Sequence, residues 1–378
     1  MTDLYTHYFA NSRHDGFVEA PSTAVGNPAW SRRIDSADPP NIGARCLLTC
    51  GENIIIDGHS KIVAFSSRGG RLWERNKWPG TQVVVKKELV YYTSAKQVDR
   101  FESVDMNNDI RQEGRHIDGV SDQDYLVMFE PSKEDIVAQV QYTSQPDEVT
   151  CEMMVYRDTD KNLGFDWALG FPGKQSPLIP LVCHDSKQVV TSIPGEALVF
   201  DLDAANNSIG LKKRFQFPLG DHTSWVSCGP DGTIYWCGGD SEGLKVTATS
   251  PDGKPVWQWC SGDDFDLHII RTVPIAPPVV TPEFVYLLTP RNLIAIRRDK
   301  STEFVQYNFE SLRGEFYACT ALEDGVVLLT TRDTITQLNE KGEVMFDYLF
   351  DEPIVTPPVV DSMGRVYVAG REMLHAIV

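Results

Sequence analysis

The chain ends with PIVTPPVVDSMGRVYVAGREMLHAIV, from Pro353 to Val378, in which apolar, β-branched segments flank a polar turn. Such segments predict short antiparallel strands. The same order of residues occurs earlier, in PIAPPVVTPEFVYLLTPRNLIAI from Pro274 to Ile296. Both stretches begin with Pro-Pro-Val-Val, continue through a turn and an aromatic strand, and end in Leu-x-Ala-Ile. The chain is therefore built from a repeated unit.

The period of this repeat is about 40 residues. Pro278 and Pro358 hold the same place in their copies and are 80 residues apart, and a third copy lies between them at 316–338. A period of about 40 is typical of four-stranded propeller blades. Earlier copies occupy four further ranges: 44–75, 81–103, 176–203 and 223–259. The irregular stretch 120–170 is interpreted as one long unit, so the prediction is an all-β, eight-bladed β-propeller of four-stranded antiparallel blades.

The last unit stops after its third strand. Elsewhere the fourth strand carries a glycine, three residues and an aromatic, as in Gly69–Trp73, Gly253–Trp257 and Gly342–Phe346. The same spacing recurs outside any unit at Gly26–Trp30. We therefore predict that a strand of about residues 30–35 completes the last blade and closes the ring, since closure protects sheet edges. The alternative is a disordered N-terminal arm.

The predicted domain organisation is an N-terminal arm, 1–27, followed by a single propeller domain, 28–378. Composition sets the class of protein: 378 residues, 42% hydrophobic and 23% charged, are typical of a globular chain. The net charge of −18 argues against a nucleic-acid surface and against docking on anionic lipid. No apolar run reaches 18 residues, so no membrane insertion is expected. A monomer is predicted.

Two further expectations concern the compartment. The N-terminus has no basic segment followed by an apolar one, which favours a cytoplasmic protein, or an extracytoplasmic one if a leader has been removed. The eight cysteines are scattered without a CxxC motif. Free, mostly buried thiols are therefore expected.

The units G-x-V-Y-V, L-x-A-I/L-D and D-G-x-x-x-W resemble the pyrroloquinoline-quinone (PQQ) repeat of quinoprotein-like eight-bladed propellers, over residues 7–378. The resemblance implies one of two functions: a quinone-dependent dehydrogenase, or a non-catalytic scaffold such as the propeller lipoprotein of the outer-membrane assembly machine. The vicinal cysteines of the alcohol dehydrogenases are absent, and their calcium ligands cannot be matched to residues here. The scaffold is thus the closer match, and no cofactor is predicted; PQQ and calcium belong to the enzyme alternative.

Candidate ligand-binding residues lie in loops that connect a fourth strand to the next first strand, because these loops line one mouth of a propeller channel. Polar and aromatic side chains there suit a polar ligand or a protein loop. They are Arg45, Trp78, His116, Lys174, His222, Trp225, His268, Arg271 and Arg313. Asp263, Asp264 and Asp266, in the longest such loop, could bind a hard cation or form a solvated acidic loop.

Two functions follow. The first is a non-catalytic binding or scaffold propeller that engages a protein or peptide partner through the channel mouth and its loops. The alternative is an enzyme, quinoprotein-like or of another propeller type, with a cofactor or metal at the mouth. The chain has no nucleophile elbow, phosphate-binding loop, dinucleotide fingerprint or HExxH motif. We therefore favour the binding protein.

Overall fold

The structure is a computed structural model. It describes residues 17–18, 28–34, 46–77, 79, 83–86, 89–94, 100–107, 110–115, 124–129, 135–145, 148–158, 163–172, 181–183, 188–193, 196–203, 208–219, 223–240, 243–261, 276–299, 304–308, 314–323 and 325–377.

Strands make up the regular structure of these residues, and none of them lies in a helix, so no described helix could cross a membrane. In chain order the strands are β1 (Phe17–Val18), β2 (Pro28–Arg33), β3 (Cys46–Cys50), β4 (Asn53–Asp57), β5 (Lys61–Phe65), β6 (Arg71–Asn76), β7 (Val84–Lys86), β8 (Leu89–Thr93), β9 (Arg100–Asp105), β10 (Ile110–Arg115), β11 (Asp124–Phe129), β12 (Asp135–Gln145), β13 (Glu148–Asp158), β14 (Leu163–Pro172), β15 (Leu181–Cys183), β16 (Gln188–Ile193), β17 (Glu196–Asp203), β18 (Ser208–Gln216), β19 (Thr223–Cys228), β20 (Ile234–Asp240), β21 (Gly243–Thr249), β22 (Pro255–Cys260), β23 (Val279–Val280), β24 (Phe284–Leu288), β25 (Asn292–Arg297), β26 (Phe304–Asn308), β27 (Phe316–Leu322), β28 (Val327–Thr331), β29 (Thr334–Leu338), β30 (Val344–Leu349), β31 (Val359–Val360), β32 (Val366–Ala369) and β33 (Met373–Ile377).

The described strands form eight sheets, which we number in chain order. Their pairings are antiparallel except for that of β1, which adds a fifth strand to sheet 7. Sheets 1 to 7 are β3–β6, β7–β10, β11–β14, β15–β18, β19–β22, β23–β26 and β27–β30, each with its four strands in sequence order. Sheet 8 has the order β31-β32-β33-β2. Each predicted unit forms one sheet, and the irregular stretch 120–170 is sheet 3. We call the four strands of each sheet its first to fourth strands; in sheet 8 the fourth strand is β2.

The fourth strand of sheet 8 comes from the N-terminus, as the Gly-x-x-x-Trp spacing predicts. Trp30 pairs with Ala376, and Arg33 pairs with Met373, in antiparallel register. The strand spans Pro28–Arg33 rather than 30–35, because β33 continues to Ile377 and Pro28 pairs with it across a bulge. The amide of Ile34 still bonds the carbonyl of Glu372 at 2.7 Å. Asp35 lies outside the described residues.

The first strands of successive sheets contact one another. These contacts join β3 to β7, β7 to β11, β11 to β15, β15 to β19, β19 to β23 and β23 to β27. A hydrogen bond from Thr320 Oγ1 to the Pro358 carbonyl joins β27 to the residue before β31. β31 in turn contacts β3. Where side chains are described, buried apolar clusters join sheets 1 and 2, 4 and 5, 5 and 6, and 6 and 7, and one cluster contains residues of sheets 1, 7 and 8 together.

The glycines of the Gly-x-x-x-aromatic spacing lie in turns and have the backbone conformation that such turns require. Gly69, Gly253 and Gly342 lie between a third and a fourth strand with φ of 78°, 73° and 76°. An L-residue with a side chain rarely adopts this left-handed region. The aromatic four residues later packs in a cluster of buried residues from two sheets: Trp73 is buried and Trp257 is half-buried.

In the described part of the chain, five cysteines are thiols outside any disulfide: Cys46, Cys50, Cys237 and Cys319 are buried and Cys260 is exposed. The expectation of free, mostly buried thiols is confirmed for these. It is wrong for Cys228, which is disulfide-bonded. Scattered spacing could not reveal this bond, because a disulfide depends on the distance between Cα atoms in the fold.

Candidate functional site

The candidate site is the inner side of the sheets, where the first strands and the residues that lead into them meet. Among the predicted ligand residues, Trp225 lies within the described part of the chain. The other predicted ligand residues and the three candidate metal ligands fall outside it: Arg45, Trp78, His116, Lys174, His222, His268, Arg271, Arg313, Asp263, Asp264 and Asp266. Their roles stay predictions.

Trp225 lies near the start of the first strand of sheet 5. It is half-buried and packs against the apolar cluster between sheets 5 and 6, so much of its ring has a structural role. The register shifts between Thr223 and Trp225, which indicates a bulge. A similar shift separates Phe316 from Ala318 in β27. Bulges at strand starts redirect side chains, and they are common beside binding sites.

The start of β27 is the best-described part of this inner side. Gly314, with φ of 87°, and Glu315 are exposed immediately before the buried Phe316. Tyr317 is half-buried, and its hydroxyl donates to the Thr356 carbonyl at 2.9 Å. Burial raises the pKa of Tyr317, so it stays a neutral donor at physiological pH. An exposed carboxylate thus stands beside a strand start whose aromatic side chains are buried or half-buried.

Proline carbonyls anchor neighbouring first strands to each other. Ser227 on β19 donates to the carbonyl of Pro278 at 2.8 Å, and Thr320 on β27 donates to that of Pro358 at 3.0 Å. Each proline belongs to a Pro-Pro-Val-Val stretch that leads into the next first strand. Both hydroxyls are buried, so each needs its hydrogen-bond partner. The same type of bond thus joins sheet 5 to sheet 6 and sheet 7 to sheet 8.

A fifth strand lies on the inner edge of sheet 7. β1 pairs in parallel with β27, with Phe17 opposite Ala321 and Val18 opposite Leu322. Val18 is only 2% exposed and belongs to the cluster shared by sheets 1, 7 and 8. The predicted arm 1–27 therefore contributes one strand to a sheet.

A polar cluster joins the N-terminal strand to the rest of sheet 8. Ser31 Oγ lies 2.9 Å from His375 Nδ1, and His375 Nε2 lies 3.1 Å from Glu352 Oε1. The Glu352 carboxylate also accepts the amides of Glu372 and Met373, both at 2.9 Å. Because a carboxylate oxygen accepts, Nε2 donates and Nδ1 accepts from Ser31.

This cluster has the residue types of a hydrolase triad, Ser, His and Glu, but its hydrogen bonds serve the backbone. The two oxygens of Glu352 accept the amides of Glu372, in the turn before β33, and of Met373, the first residue of β33, and Ser31 stands opposite His375 in a strand pair. Burial lowers the pKa of His375, although Glu352 and Asp351 act in the opposite direction. The neutral imidazole thus links β2, β33 and the residues before β31.

A buried ion pair links sheet 1 to the chain leading into sheet 2. Lys77 Nζ lies 2.8 Å from Asp57 Oδ1, with the lysine side chain fully buried. Asp57 Oδ2 accepts the Val83 amide at 3.3 Å. Removing one partner of such a pair would leave a buried charge without compensation, so the pair fixes this connection.

The outer side of the sheets presents a different surface. Described fourth strands expose aliphatic side chains: Leu72, Leu211, Val256, Val305, Val344, Met345 and Leu349. Ion pairs accompany several of them, including Arg71–Glu74 and Lys212–Asp201. Charges beside an edge strand oppose pairing with another chain.

Among the described residues, no three His, Cys, Asp or Glu side chains are grouped as a metal site would need.

Sequence reasoning missed two elements of this arrangement. The pairing of β1 involves two residues, too few for an apolar period to appear. The Ser31–His375–Glu352 cluster joins residues that only the fold brings together, and His375 stands where the twin repeat has Ile294. A histidine at a position that is apolar in the twin repeat was the sequence feature that could have indicated this polar cluster.

No protein-family model and no curated protein sequence matches the chain. Among solved structures, it is similar to BamB from Moraxella catarrhalis, with a TM-score of 0.60 and 11% identity over 93% of this chain and 97% of that one. It is also similar to Sqt1 from Saccharomyces cerevisiae, with a TM-score of 0.64 and 8% identity over 90% and 97%. A third is assigned as a 6-phosphogluconolactonase from Bacteroides uniformis, with a TM-score of 0.50 and 14% identity over 79% and 93%. The chain therefore has a β-propeller-type fold.

Proposed function

We propose that this protein is a non-catalytic β-propeller that binds a protein or peptide partner at the mouth of its central channel. In this proposal the eight sheets are the blades of a closed ring, and the N-terminal strand completes the last blade. The proposal assigns no cofactor. The observation that carries it is the fixed inner side: hydrogen-bonded first strands hold an exposed carboxylate and half-buried aromatics in place.

The glycine turns support closure of the ring. A Cβ on Gly253 in sheet 5 would lie 2.8 Å from Phe215, which is on the fourth strand of sheet 4. A Cβ on Gly342 in sheet 7 would collide with Tyr307, on the fourth strand of sheet 6. A Cβ on Gly69 in sheet 1 would lie 3.0 Å from Trp30. The N-terminal strand therefore has the same relation to sheet 1 that a preceding blade has elsewhere.

A second feature supports the place of β2 as a fourth strand. In sheet 5, Trp257 pairs with Ala248, which pairs with Tyr235, and the two rings are 5.8 Å apart at 53°. Sheet 8 has the same order, Trp30, Ala376 and Tyr367, with rings 6.0 Å apart at 54°. The small alanine between the two rings lets them meet across the third strand.

Binding is favoured because the inner side is already ordered. Loops on a rigid scaffold bind partners without a large loss of conformational entropy. The buried hydroxyl-to-carbonyl bonds of Ser227 and Thr320 fix the strands that carry those loops. The net charge of −18 favours a partner segment with basic residues.

The test is selection of a phage-displayed peptide library against the full chain, followed by binding to three variants. Glu315→Lys and His222→Ala alter the predicted mouth, while Val256→Lys alters an exposed outer position in sheet 5. Selected peptides should lose at least ten-fold in affinity with the mouth variants and bind the Val256 variant normally. Peptides that depend on Val256 and ignore both mouth variants would overturn the proposal.

A further inference from the structure

Cys228 belongs to a disulfide whose second cysteine follows from the other cysteines of the chain. It is the last residue of β19, it is buried, and it is disulfide-bonded. The chain has eight cysteines, and five of the others are thiols outside any disulfide: Cys46, Cys50, Cys237, Cys260 and Cys319. The partner of Cys228 is therefore either Cys151 or Cys183.

The surroundings of Cys228 favour a partner in sheet 4. Its side chain lies in the buried cluster that joins sheets 4 and 5, in which Val190 and Val199 belong to sheet 4. The sequence of sheet 4 contains one cysteine, Cys183. The two Cα atoms of a disulfide lie within about 7 Å of each other. A sulfur among the residues of sheet 4 therefore needs a partner on a strand close to β19.

The strands place Cys183 and Cys228 at corresponding positions. Cys183 is the last residue of β15, and Cys228 is the last residue of β19. These are the first strands of sheets 4 and 5, and they contact each other. Cys151 lies on β13, the third strand of sheet 3, and sheet 4 stands between sheets 3 and 5 in the series of first-strand contacts. Of the two cysteines, only Cys183 thus lies on a strand that contacts β19.

We propose that Cys183 and Cys228 form an oxidative modification site, a disulfide that joins the first strands of sheets 4 and 5. The oxidant is a low-molecular-weight disulfide such as oxidised glutathione. The thiolate of one cysteine attacks a sulfur of the oxidant and releases one small thiol, and the thiolate of the other cysteine then displaces the second. Two cysteine thiols thus lose two protons and two electrons, and one small disulfide becomes two thiols.

The position of the bond gives it a structural role. Cys183 and Cys228 are 45 residues apart in sequence, so the cross-link restricts the unfolded chain and favours the folded one. Cys228 is 0% exposed, so a reductant reaches its sulfur only when the cluster between sheets 4 and 5 opens. The bond is therefore suited to permanent cross-linking in a compartment that oxidises thiols, and not to rapid switching.

The experiment maps the disulfide in the full chain after incubation with oxidised glutathione. Free thiols are blocked with iodoacetamide in denaturant, and the chain is then digested with trypsin and Asp-N. This digestion places Cys228 in the peptide 221–230, Cys183 in 175–184 and Cys151 in 147–157. Mass spectrometry without reduction should find 221–230 linked to 175–184, and dithiothreitol should separate the two peptides.

Cys183→Ser and Cys151→Ser are the matched variants. Cys183→Ser should leave Cys228 open to alkylation in denaturant, whereas Cys151→Ser should keep the linked peptides. Wild type that has been unfolded and refolded in dithiothreitol should melt several degrees below the oxidised wild type, because it lacks the cross-link. The wild-type map needs no substitution, so it decides the pairing even if Cys183→Ser does not fold.

Three outcomes would overturn the inference. The first is a link between 221–230 and 147–157, and the second is alkylation of Cys228 in the oxidised wild-type chain. The third is an equal melting temperature for oxidised and reduced wild type, since a bond that joins two sheets must stabilise the fold. None of these measurements involves a binding partner, so each is separate from the test of the proposed function.

Discussion

Trp30 connects the N-terminal strand to two sheets at once. Its indole Nε1 donates to the Ser67 carbonyl of sheet 1 at 3.3 Å, and its ring lies against Tyr367 of sheet 8. The ring is half-buried, so Trp30→Ala should lower the free energy of unfolding by about 2–3 kcal/mol, less than the roughly 3–5 kcal/mol of a fully buried large aromatic. Urea denaturation followed by fluorescence measures this change.

Arg33→Ala is the matched control, because Arg33 is exposed on the same strand and its ion pair with Glu372 is long, at 3.8 Å. Its effect should stay within about 0.5 kcal/mol. Equal stability of the Trp30 and Arg33 variants would show that the indole does not hold the strand in place.

His375 makes stability depend on pH. Burial lowers its pKa in the folded protein, while the unfolded chain retains a value of about 6.5. The unfolded state therefore binds the proton more readily than the folded state. The contribution of His375 to the free energy of unfolding is complete above pH 6.5 and declines as the pH falls toward the lower pKa of the folded protein. The melting temperature should drop between pH 7.5 and 5.5, as differential scanning calorimetry would record.

The His375→Gln variant separates this histidine from the other titrating groups. Glutamine keeps a donor and an acceptor for Glu352 and Ser31 but does not ionise in this range. Its melting temperature should vary less between pH 7.5 and 5.5 than that of wild type. An identical pH profile for both proteins would rule out His375 as the source.

At the scale of elements, the Pro-Pro-Val-Val stretches connect neighbouring sheets through their carbonyls. Thr320→Val keeps the shape of the side chain but removes the donor to the buried Pro358 carbonyl, so it should destabilise the protein by about 1–2 kcal/mol. Ser227→Ala should cost a similar amount through Pro278, and chemical denaturation of both variants measures it.

Thr233→Val is the control for loss of a threonine hydroxyl, since Thr233 lies in the turn between β19 and β20 and is less buried than Thr320. Its effect should be clearly smaller. If Thr320→Val and Thr233→Val are equally stable, the hydrogen bond from Thr320 to the Pro358 carbonyl does not stabilise the contact between sheets 7 and 8.

Elements with local signals could be predicted from the sequence. The glycines and apolar strands recur about every 40 residues, so the regular units could be placed. The irregular stretch 120–170 was interpreted as one unit, and it forms one sheet, β11–β14. The spacing Gly26–Trp30 predicted the pairing of β2 for the same reason. The pairing of β1 and the Glu352 contacts depend on the folded arrangement of distant segments, which no local pattern encodes.

The candidate site was less predictable than the fold because propeller loops carry no repeat. Trp225 illustrates the limit: an aromatic at the start of a first strand can serve the mouth or the core, and this one packs against the cluster between sheets 5 and 6. Ser31 and His375 look like site residues by type, yet they join strands. Neither the residue type nor the position in the repeat could distinguish a binding residue from one that packs in the core or joins two strands.

For the whole molecule, β2 pairs with β33 in sheet 8, so contacts between residues far apart in sequence hold it together. Deleting residues 1–34 would remove β2, expose the edge of β33, and remove the buried Ile34 and Val18 from the shared cluster. An apolar edge strand without a partner pairs with other chains. The truncated protein should therefore form oligomers in sedimentation velocity and melt at a lower temperature, whereas the full chain should be a monomer. Deleting residues 1–16 alone keeps β1 and β2 and should change neither property. A monomeric 1–34 deletion with the melting temperature of the full chain would show that sheet 8 does not need β2.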